Sequence, residues 1–457
     1  MKTQERTAAA AAADAAPVSA TRHRYAFVLL GGVQAVLIFT LAAINVPLPR
    51  IGHELGLQCS DLILLSAAYG LTFAGLLLFG GRLADRYGGR RVLTAGLALF
   101  AGASAAAPLA PGIEALLAAR FAQGAGAALV APAAMAVLRA VFPSSAAYGK
   151  AMATWGGLSV LGATAGNLLS GVISSLLSWR WTFAVPLVVA IAALALTPRL
   201  LPDTAPDRSR TLDLPGALLA TVGITLASCG LVVTDAHSWS SAAVLVPLLA
   251  GAALLAAFWY AERRAADPLL PPRFLLDRRR ALALTAIAMS ACGTAMAFVV
   301  LSLHLQQVRD WSQLQTSAAF VPFAVMLIAS GRAASPLIGR YGARAVTVAG
   351  LATGAAGLAV LAFTGLDAHT SYAYGLLPGL LLLPAGTAAS FAGGAVLATE
   401  GVPQGQTGLA GGVLNTAMEF GPTILFAVLL TLGSDASSLG AAGAAFALVA
   451  LLNHRTK

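Results

Sequence analysis

The chain has 457 residues, 58% of them hydrophobic and only 10% charged, with a mean hydropathy of +0.82. Ordinary soluble domains are about 25% charged, so this composition excludes a soluble globule and indicates a polytopic membrane protein. The formal net charge of +10 comes from Arg residues set singly or in short clusters between apolar runs, which excludes the contiguous basic face with interleaved aromatics that nucleic-acid binding needs.

At the N-terminus, Lys2, Arg6, Arg22 and Arg24 surround an Ala-rich tract, and residues 1–24 are expected to form a disordered cytoplasmic tail. The apolar run from Tyr25 to Pro47 exceeds the roughly 7–15 residues of a signal-peptide core, so it is expected to stay as a first membrane helix. At about 20 apolar residues per span, helices are predicted near 26–48, 61–80, 92–109, 114–137, 151–175, 181–198, 212–234, 241–261, 281–305, 315–334, 345–365, 373–397, 407–432 and 438–453. The expected fold class is therefore all-α and polytopic, with fourteen transmembrane helices. Forty-seven Gly residues and abundant Ala suit such helices, because small side chains let backbones approach where lipid gives no hydrophobic drive for association. Cys59, Cys229 and Cys292 are odd in number and imply no disulfide framework. The segment "AERRAADPLLPPRFLLDRRR" (261–280) reads as a linker, and no segment is long enough for a soluble domain.

Cytoplasmic loops of membrane proteins are enriched in Lys and Arg. With the N-terminus inside, 24 of the 28 Lys and Arg fall in inward loops and tails, three (Arg50, Arg180, Arg309) in outward loops, and Arg120 inside a span. This bias supports an even number of helices in the cytoplasmic membrane, with both termini cytoplasmic.

The stretch "GRLADRYGGRR" (81–91) has an echo in "SPLIGRYGARA" (335–345): Leu83 matches Leu337, Arg86 Arg340, Tyr87 Tyr341, Gly88 Gly342 and Arg90 Arg344, while Asp85 falls on Gly339. Arg86 and Arg340 lie 254 residues apart. Six helices with short loops need about 180–190 residues, and the surplus is two more helices. The expected organisation is a six-helix bundle over 25–200, two inserted helices with linkers over 201–280, and a second six-helix bundle over 281–457. Internal repeats with a substrate path between them are a transporter signature.

"GRLADRYGGRR" resembles the loop 2–3 signature of the major facilitator superfamily, and "LAARFAQGAGAA" (117–128) resembles its helix 4 signature. "INVPLPRI" (44–51), "SWRWTF" (178–183), "LHLQQVRDWS" (303–312) and "GLAGGVLNTAMEFG" (408–421) are similar to segments of its 14-helix drug:proton antiporter branch. The resemblance covers essentially the whole chain. It implies two six-helix bundles that rock about a central cavity and export small, often amphipathic compounds such as antibiotics in exchange for protons.

Candidate site residues divide into three groups. In the loop 2–3 stretch, Gly81 and Gly88 permit a tight turn and close approach. Asp85 sits at a helix end, where it can pair with Arg86 or Arg90, or accept from the N-terminal amides of a neighbouring helix. The resemblance implies that this cluster latches the cytoplasmic side; the plainer reading is that its Arg residues, Arg82 and Arg91 above all, simply hold the loop inside. Arg120 is the basic residue set deep within a span, with Gln123 and Gly124 on its face, and such a charge must face a cavity or a partner. An interbundle hydrogen bond and the family's role in proton coupling are both open for it. Glu419 is the clearest intramembrane acid, with Asn415 one turn before and Pro422 about one turn after. It can carry the coupled proton or reach water or an Arg near the cytoplasm. Gln34 and Asn45 share a face of helix 1, and His304 and Gln307 a face of helix 9; with Tyr69, Trp155, Asn167 and Asn415 they are candidate cavity groups or interhelical hydrogen-bond partners. Asp61 reads as a helix cap and Asp235 as an outward loop acid.

Two positions depart from the branch pattern. Thr40 stands where the branch has an acid in helix 1, and "GATAGN" (162–167) has Ala163 for the helix 5 Pro and Asn167 for its last Gly. These losses count against cationic substrates and shift the coupling load toward Glu419, Arg120 or Asp85.

The chain carries no His-Glu-x-x-His, no phosphate-binding loop ending in Gly-Lys-Ser/Thr and no paired intramembrane carboxylates, so an enzyme and an ATP-driven pump are disfavoured. The expected partners are a small-molecule substrate, the lipid bilayer and protons, with no nucleic acid, for a monomer. No cofactor or metal is expected; the driving force is the proton gradient. Uptake or facilitated passage of a small metabolite by the same fold is the alternative.

Overall fold

A computed structural model of the chain describes residues 2–204, 206–207, 212–233, 238–265, 268–311, 313–366, 370–402, 406–430 and 435–455, leaving aside the side chains of 2–21, 420–430 and a few isolated positions. Every regular element among the described residues is helical: α1 (Lys2–Ala42), α2 (Leu48–Leu55), α3 (Cys59–Tyr87), α4 (Gly89–Ala106), α5 (Ile113–Val141), α6 (Ser145–Leu176), a 3-10 segment (Trp179–Phe183), α7 (Ala184–Leu200), α8 (Leu214–Val232), α9 (Ala242–Glu262), α10 (Pro272–Leu276), α11 (Arg278–Leu303), α12 (Gln313–Ala319), α13 (Val321–Tyr341), α14 (Ala343–Val360), α15 (Tyr372–Gly375), α16 (Leu377–Thr399), α17 (Thr407–Leu430) and α18 (Asp435–Arg455).

Local sequence explains the helix starts. Asp213 Oδ1 accepts from Gly216 N at 2.9 Å to cap α8, and Asp277 Oδ1 accepts from Arg280 N at 3.0 Å to cap α11. Ser144 caps α6 through Ala147 N, and Gln58 with Asp61 forms a capping box on α3. Each cap satisfies amides that a helix start leaves without intrahelical acceptors.

Twelve of these helices, among the described residues, are long and apolar enough to cross a membrane. The helices α6 and α17, which are not among the twelve, are 32 and 24 residues long. The helix α1 runs from Lys2 to Ala42, and its membrane-spanning part begins at Arg22; the Ala-rich residues before it suit a helix, since Ala is the strongest helix former.

The repeat seen in the sequence is visible in the backbone. Gly88 (φ 91°) separates α3 from α4, and Gly342 (φ 84°) separates α13 from α14. A side chain is strained at such φ, so glycine makes both turns as tight as one residue. Three of the five charges of "GRLADRYGGRR", Arg82, Asp85 and Arg86, sit in the last two turns of α3, which runs past its predicted end at residue 80 to Tyr87, and Arg90 and Arg91 open α4.

In the first half α5 packs on α3 and α4, α1 on α6, and α7 on α4; in the second, α16 packs on α14, α13 and α11, and α18 on α14. Between them, α8 and α9 pair with each other and α8 lies along α3. One buried cluster is confined to the second half (Ala286 to Ala450), while the larger cluster of the first half also takes in Ile287, Phe391, Leu409 and Met418. The halves meet where α17 packs against α3 and α5, and where α13 and α16 pack against α6.

Candidate functional site

The halves approach closely at the C-terminal end of α3. Asp85, 5% exposed, has one carboxylate oxygen 2.6 Å from Gly408 N and the other 2.8 Å from Leu409 N. Both amides belong to the first turn of α17, where a helix has free N–H groups and the positive end of its dipole, so the carboxylate closes the two halves with two charge-assisted hydrogen bonds. Glycine makes this approach possible: a Cβ on Gly408 would fall on the Gly81 carbonyl oxygen, and one on Gly81 would fall on that of Gly408. Among the roles open for Asp85 in the sequence, the contact with a neighbouring helix N-terminus is present here.

The other charges of the stretch are placed differently. Arg90 turns to Asp203 (2.7 Å) and the Leu201 carbonyl (3.2 Å), tying the start of α4 to the segment after α7. Arg86 lies over the Tyr87 ring, 5.6 Å from its centroid, and Arg82 is buried. The Asp85 carbonyl accepts from Asp207 N at 3.0 Å.

Deeper in the first half, Arg120 on α5 is 1% exposed. Its Nη1 donates to the Thr40 carbonyl at 3.0 Å and to Gln123 Oε1 at 3.3 Å, and its guanidinium stands 5.0 Å from the centroid of the Tyr69 ring. Gln123 Nε2 in turn donates to Ser104 Oγ on α4 at 2.9 Å, and the Tyr69 hydroxyl donates to the Leu37 carbonyl at 2.9 Å. These hydrogen bonds lie within the first half, which corrects the reading of Arg120 as an interbundle hydrogen bond. Glu419 is half-buried on α17.

The remaining candidates are dispersed. Gln34 Nε2 donates to Ser159 Oγ at 3.2 Å between α1 and α6, and Trp155 is buried one turn before Ser159. Asn415 Nδ2 donates to Met135 Sδ at 3.1 Å, stitching α17 to α5. His304 Nε2 accepts from Arg309 Nε at 3.3 Å across the π-turn His304–Val308. Asn45 is exposed in the turn after α1, and Asp61 caps α3, its Oδ2 accepting from Gln58 N at 3.0 Å. The side chains of Asn167 and Gln307, and Asp235 altogether, lie outside the described residues.

Several polar groups were not singled out from the sequence. Glu54, on the short helix α2, is ion-paired with Arg180 and accepts from Trp179 Nε1 at 2.6 Å; Arg180 also donates to the Pro108 carbonyl at 3.1 Å. The Arg180 and Trp179 bonds hold the Glu54 carboxyl below its ordinary pKa of 4.5. Nothing in "SWRWTF" names Glu54 as the partner of Arg180. Glu262, buried at the end of α9, accepts from Leu270 N at 2.8 Å and lies with Asp213 against Gly216. Asp203, Ser104 and Thr182 carried no local signal at all.

Apolar helices in two repeated halves, joined at one end by a carboxylate on a helix N-terminus and carrying buried charges within, define a multi-pass membrane protein of the transporter class. The sequence profile of the Major Facilitator Superfamily matches residues 28–426, and the chain belongs to that family. It is 36% identical over 417 residues to the cephamycin export protein CmcT of Amycolatopsis lactamdurans, covering 90% of this chain and 85% of that one. It is 33% identical over 420 residues to the puromycin resistance protein of Streptomyces alboniger, covering 91% and 83%. Among solved structures, the human organic anion transporter MFSD10 superposes with a TM-score of 0.64 over 93% of this chain and 98% of that one, at 19% identity, which establishes a shared fold.

Proposed function

We propose that the chain is a secondary active exporter of a small organic compound of the drug or antibiotic class, working by proton antiport and alternating access in the cytoplasmic membrane. The names of its export and resistance relatives support the substrate class. The observation that carries the mechanism is the Asp85 carboxylate on the Gly408 and Leu409 amides. A pair of charge-assisted hydrogen bonds that joins the halves at one end can be made and broken as a unit, which is what alternating access needs.

In this reading α6 and α17 complete fourteen spans, both termini are cytoplasmic, and the Asp85 end faces the cytoplasm, so that the present form is closed inside. The bundles run over 25–200 and 281–457, with α8 and α9 as the inserted pair. Arg120, Gln123 and Glu419 form the coupling group: Glu419 takes and releases the proton, and Arg120, through Tyr69, sets the field in which it does so. Gln34, Asn45, Tyr69, Trp155, Asn167, His304, Gln307 and Asn415 contribute to the substrate path as the halves part. The protein works as a monomer without cofactor or metal. The test is efflux of a compound panel from an export-deficient host, with and without a proton gradient. Wild type lowers accumulation of at least one compound only when energised; no gradient-dependent difference for any compound would refute the proposal.

A further inference from the structure

Glu262 is a buried acid, 1% exposed, to which the transport reading gives no role. It stands at the end of α9, beside Asp213 at the start of α8, where the inserted pair meets the segment that lies on the end of α3. Six residues before Asp213, Asp207 N donates to the Asp85 carbonyl at 3.0 Å. The two carboxyl groups are held in the same way. Leu270 N donates to Glu262 Oε2 at 2.8 Å, and Gly216 N donates to Asp213 Oδ1 at 2.9 Å. Their other oxygens, Glu262 Oε1 and Asp213 Oδ2, converge: a Cβ on Gly216 would fall on both of them, so glycine is what lets the two acids meet. Glu262 Oε1 is buried and meets no hydrogen-bond donor among the described residues. Two facing carboxylate oxygens repel when both acids are ionised and bond when one proton lies between them.

The surrounding charges suit one proton on the pair. The cation that faces Glu262 from another helix is Arg82, buried on α3, along which α8 packs, and it makes no bond to Oε1. Arg263 and Arg264 follow on the chain and are exposed, Arg264 lying over the Tyr260 ring at 4.1 Å from its centroid. The described part of the linker that touches Glu262 is apolar, and its Leu269, Leu270 and Phe274 are buried in the core of the first half. With one proton the pair carries a single negative charge opposite a single buried cation; without it the negative charge is doubled. We propose that Glu262 and Asp213 form a proton-binding site, one proton being held between Glu262 Oε1 and Asp213 Oδ2 as a carboxylic acid–carboxylate hydrogen bond that clamps the start of α8, the end of α9 and the linker at Leu270 together. A proton needs no accessible volume, so the buried, unmatched oxygen is itself the site. This proton is distinct from the one that Glu419 carries in the transport reading. Its loss places two adjacent negative charges at the tie to Leu270 and loosens the linker from the helix pair.

Infrared difference spectra of the purified full-length chain, recorded as pH is raised, read the site directly, because the C=O band of a carboxylic acid vanishes when the carboxylate forms. Glu262→Gln and Asp213→Asn each put an NH₂ where the proton is held, keep the bond from Leu270 N or Gly216 N, and let the remaining acid ionise; Asn caps a helix as well as Asp does. Wild type minus variant is expected to show one acid band, lost on raising pH, and the same band in both differences. A band missing from one variant only assigns the proton to that acid alone and overturns the shared site. No band in either difference also overturns it, and is the result that a water or a metal cation between two carboxylates would give. Thermal unfolding is the second measure: a folded chain that holds one proton more than the unfolded chain loses stability as pH rises through its release. Wild-type Tm is therefore expected to fall over that limb relative to both variants, and parallel profiles would overturn the proposal. Neither measurement uses a substrate or a gradient, so failure of the export reading leaves this inference standing, and its own failure leaves export untouched.

Discussion

Replacing Asp85 by Asn keeps the shape of the side chain and removes the charge that joins the two halves. Of the two acceptors now facing Gly408 N (2.6 Å) and Leu409 N (2.8 Å), the amide retains one and turns an NH₂ toward the other backbone N–H. A hydrogen bond to a charged group is worth about 1.5–3 kcal/mol and a neutral one about 0.5–1.5, and the helix dipole adds about 0.3–1 for the charge. Losing one bond and neutralising the other removes roughly 2–4 kcal/mol from the closed end, a shift of about 30- to several-hundred-fold in the equilibrium between closed and open. Populations that favoured closure by that margin become comparable. The assay is the distance distribution between nitroxides at positions 87 and 341, repeat-related and both exposed, in a chain with its three Cys residues replaced. Asp85→Asn is expected to add a longer-distance population. Identical distributions in wild type and variant, with both transport-competent, would show that the carboxylate does not hold the halves together.

Gly408→Ala puts a methyl group onto the Gly81 carbonyl oxygen, so it is expected to open the same end and lower Tm although no charge changes; an unaltered distance distribution would contradict the close-packing account. Asp203→Ala breaks the Arg90 pair, whose side chains are 27% and 67% exposed; exposed pairs contribute about 0–1 kcal/mol, so efflux and Tm are expected to stay near wild type, and a severe loss would mean that Arg90 does more than tether a loop. Glu54 is held below pKa 4.5 by Arg180 and Trp179, so its contribution to stability is full above pH 4.5 and is lost as pH falls through its lower folded value. Wild type should therefore lose Tm in that acid window and Glu54→Gln should lose less; parallel pH profiles would contradict the assignment.

The spans were legible because they are long and apolar, and the turns because Gly88 and Gly342 stand at the ends of the two repeat copies. The latch was legible to the point of its chemistry: Asp85 at a helix end among Arg residues leaves few roles. Its partner was not, because Gly408 lies 323 residues away and backbone amides carry no side-chain signature. Arg90 with Asp203 and Glu54 with Arg180 were hidden by separations of 113 and 126 residues. Cavity residues were the hardest to read. Helices that are apolar all round show no polar stripe from which to judge which face meets water, so shared faces suggested Asn415 and His304 as lining groups, while in this conformation Asn415 is bonded to Met135 and His304 to Arg309. Thr40 was noticed only as a departure from a pattern. Its contact with Arg120 was not legible, because the group that accepts from Arg120 Nη1 is the Thr40 backbone carbonyl.

The central claim, proton-coupled export with Glu419 as the proton carrier, is tested most directly in proteoliposomes loaded with a pH-sensitive dye. Adding a transported compound to wild type should drive proton movement opposite to the compound, and Glu419→Gln should abolish that proton movement while leaving compound binding intact. Wild-type transport with no proton flux, or undiminished flux in Glu419→Gln, would contradict the account.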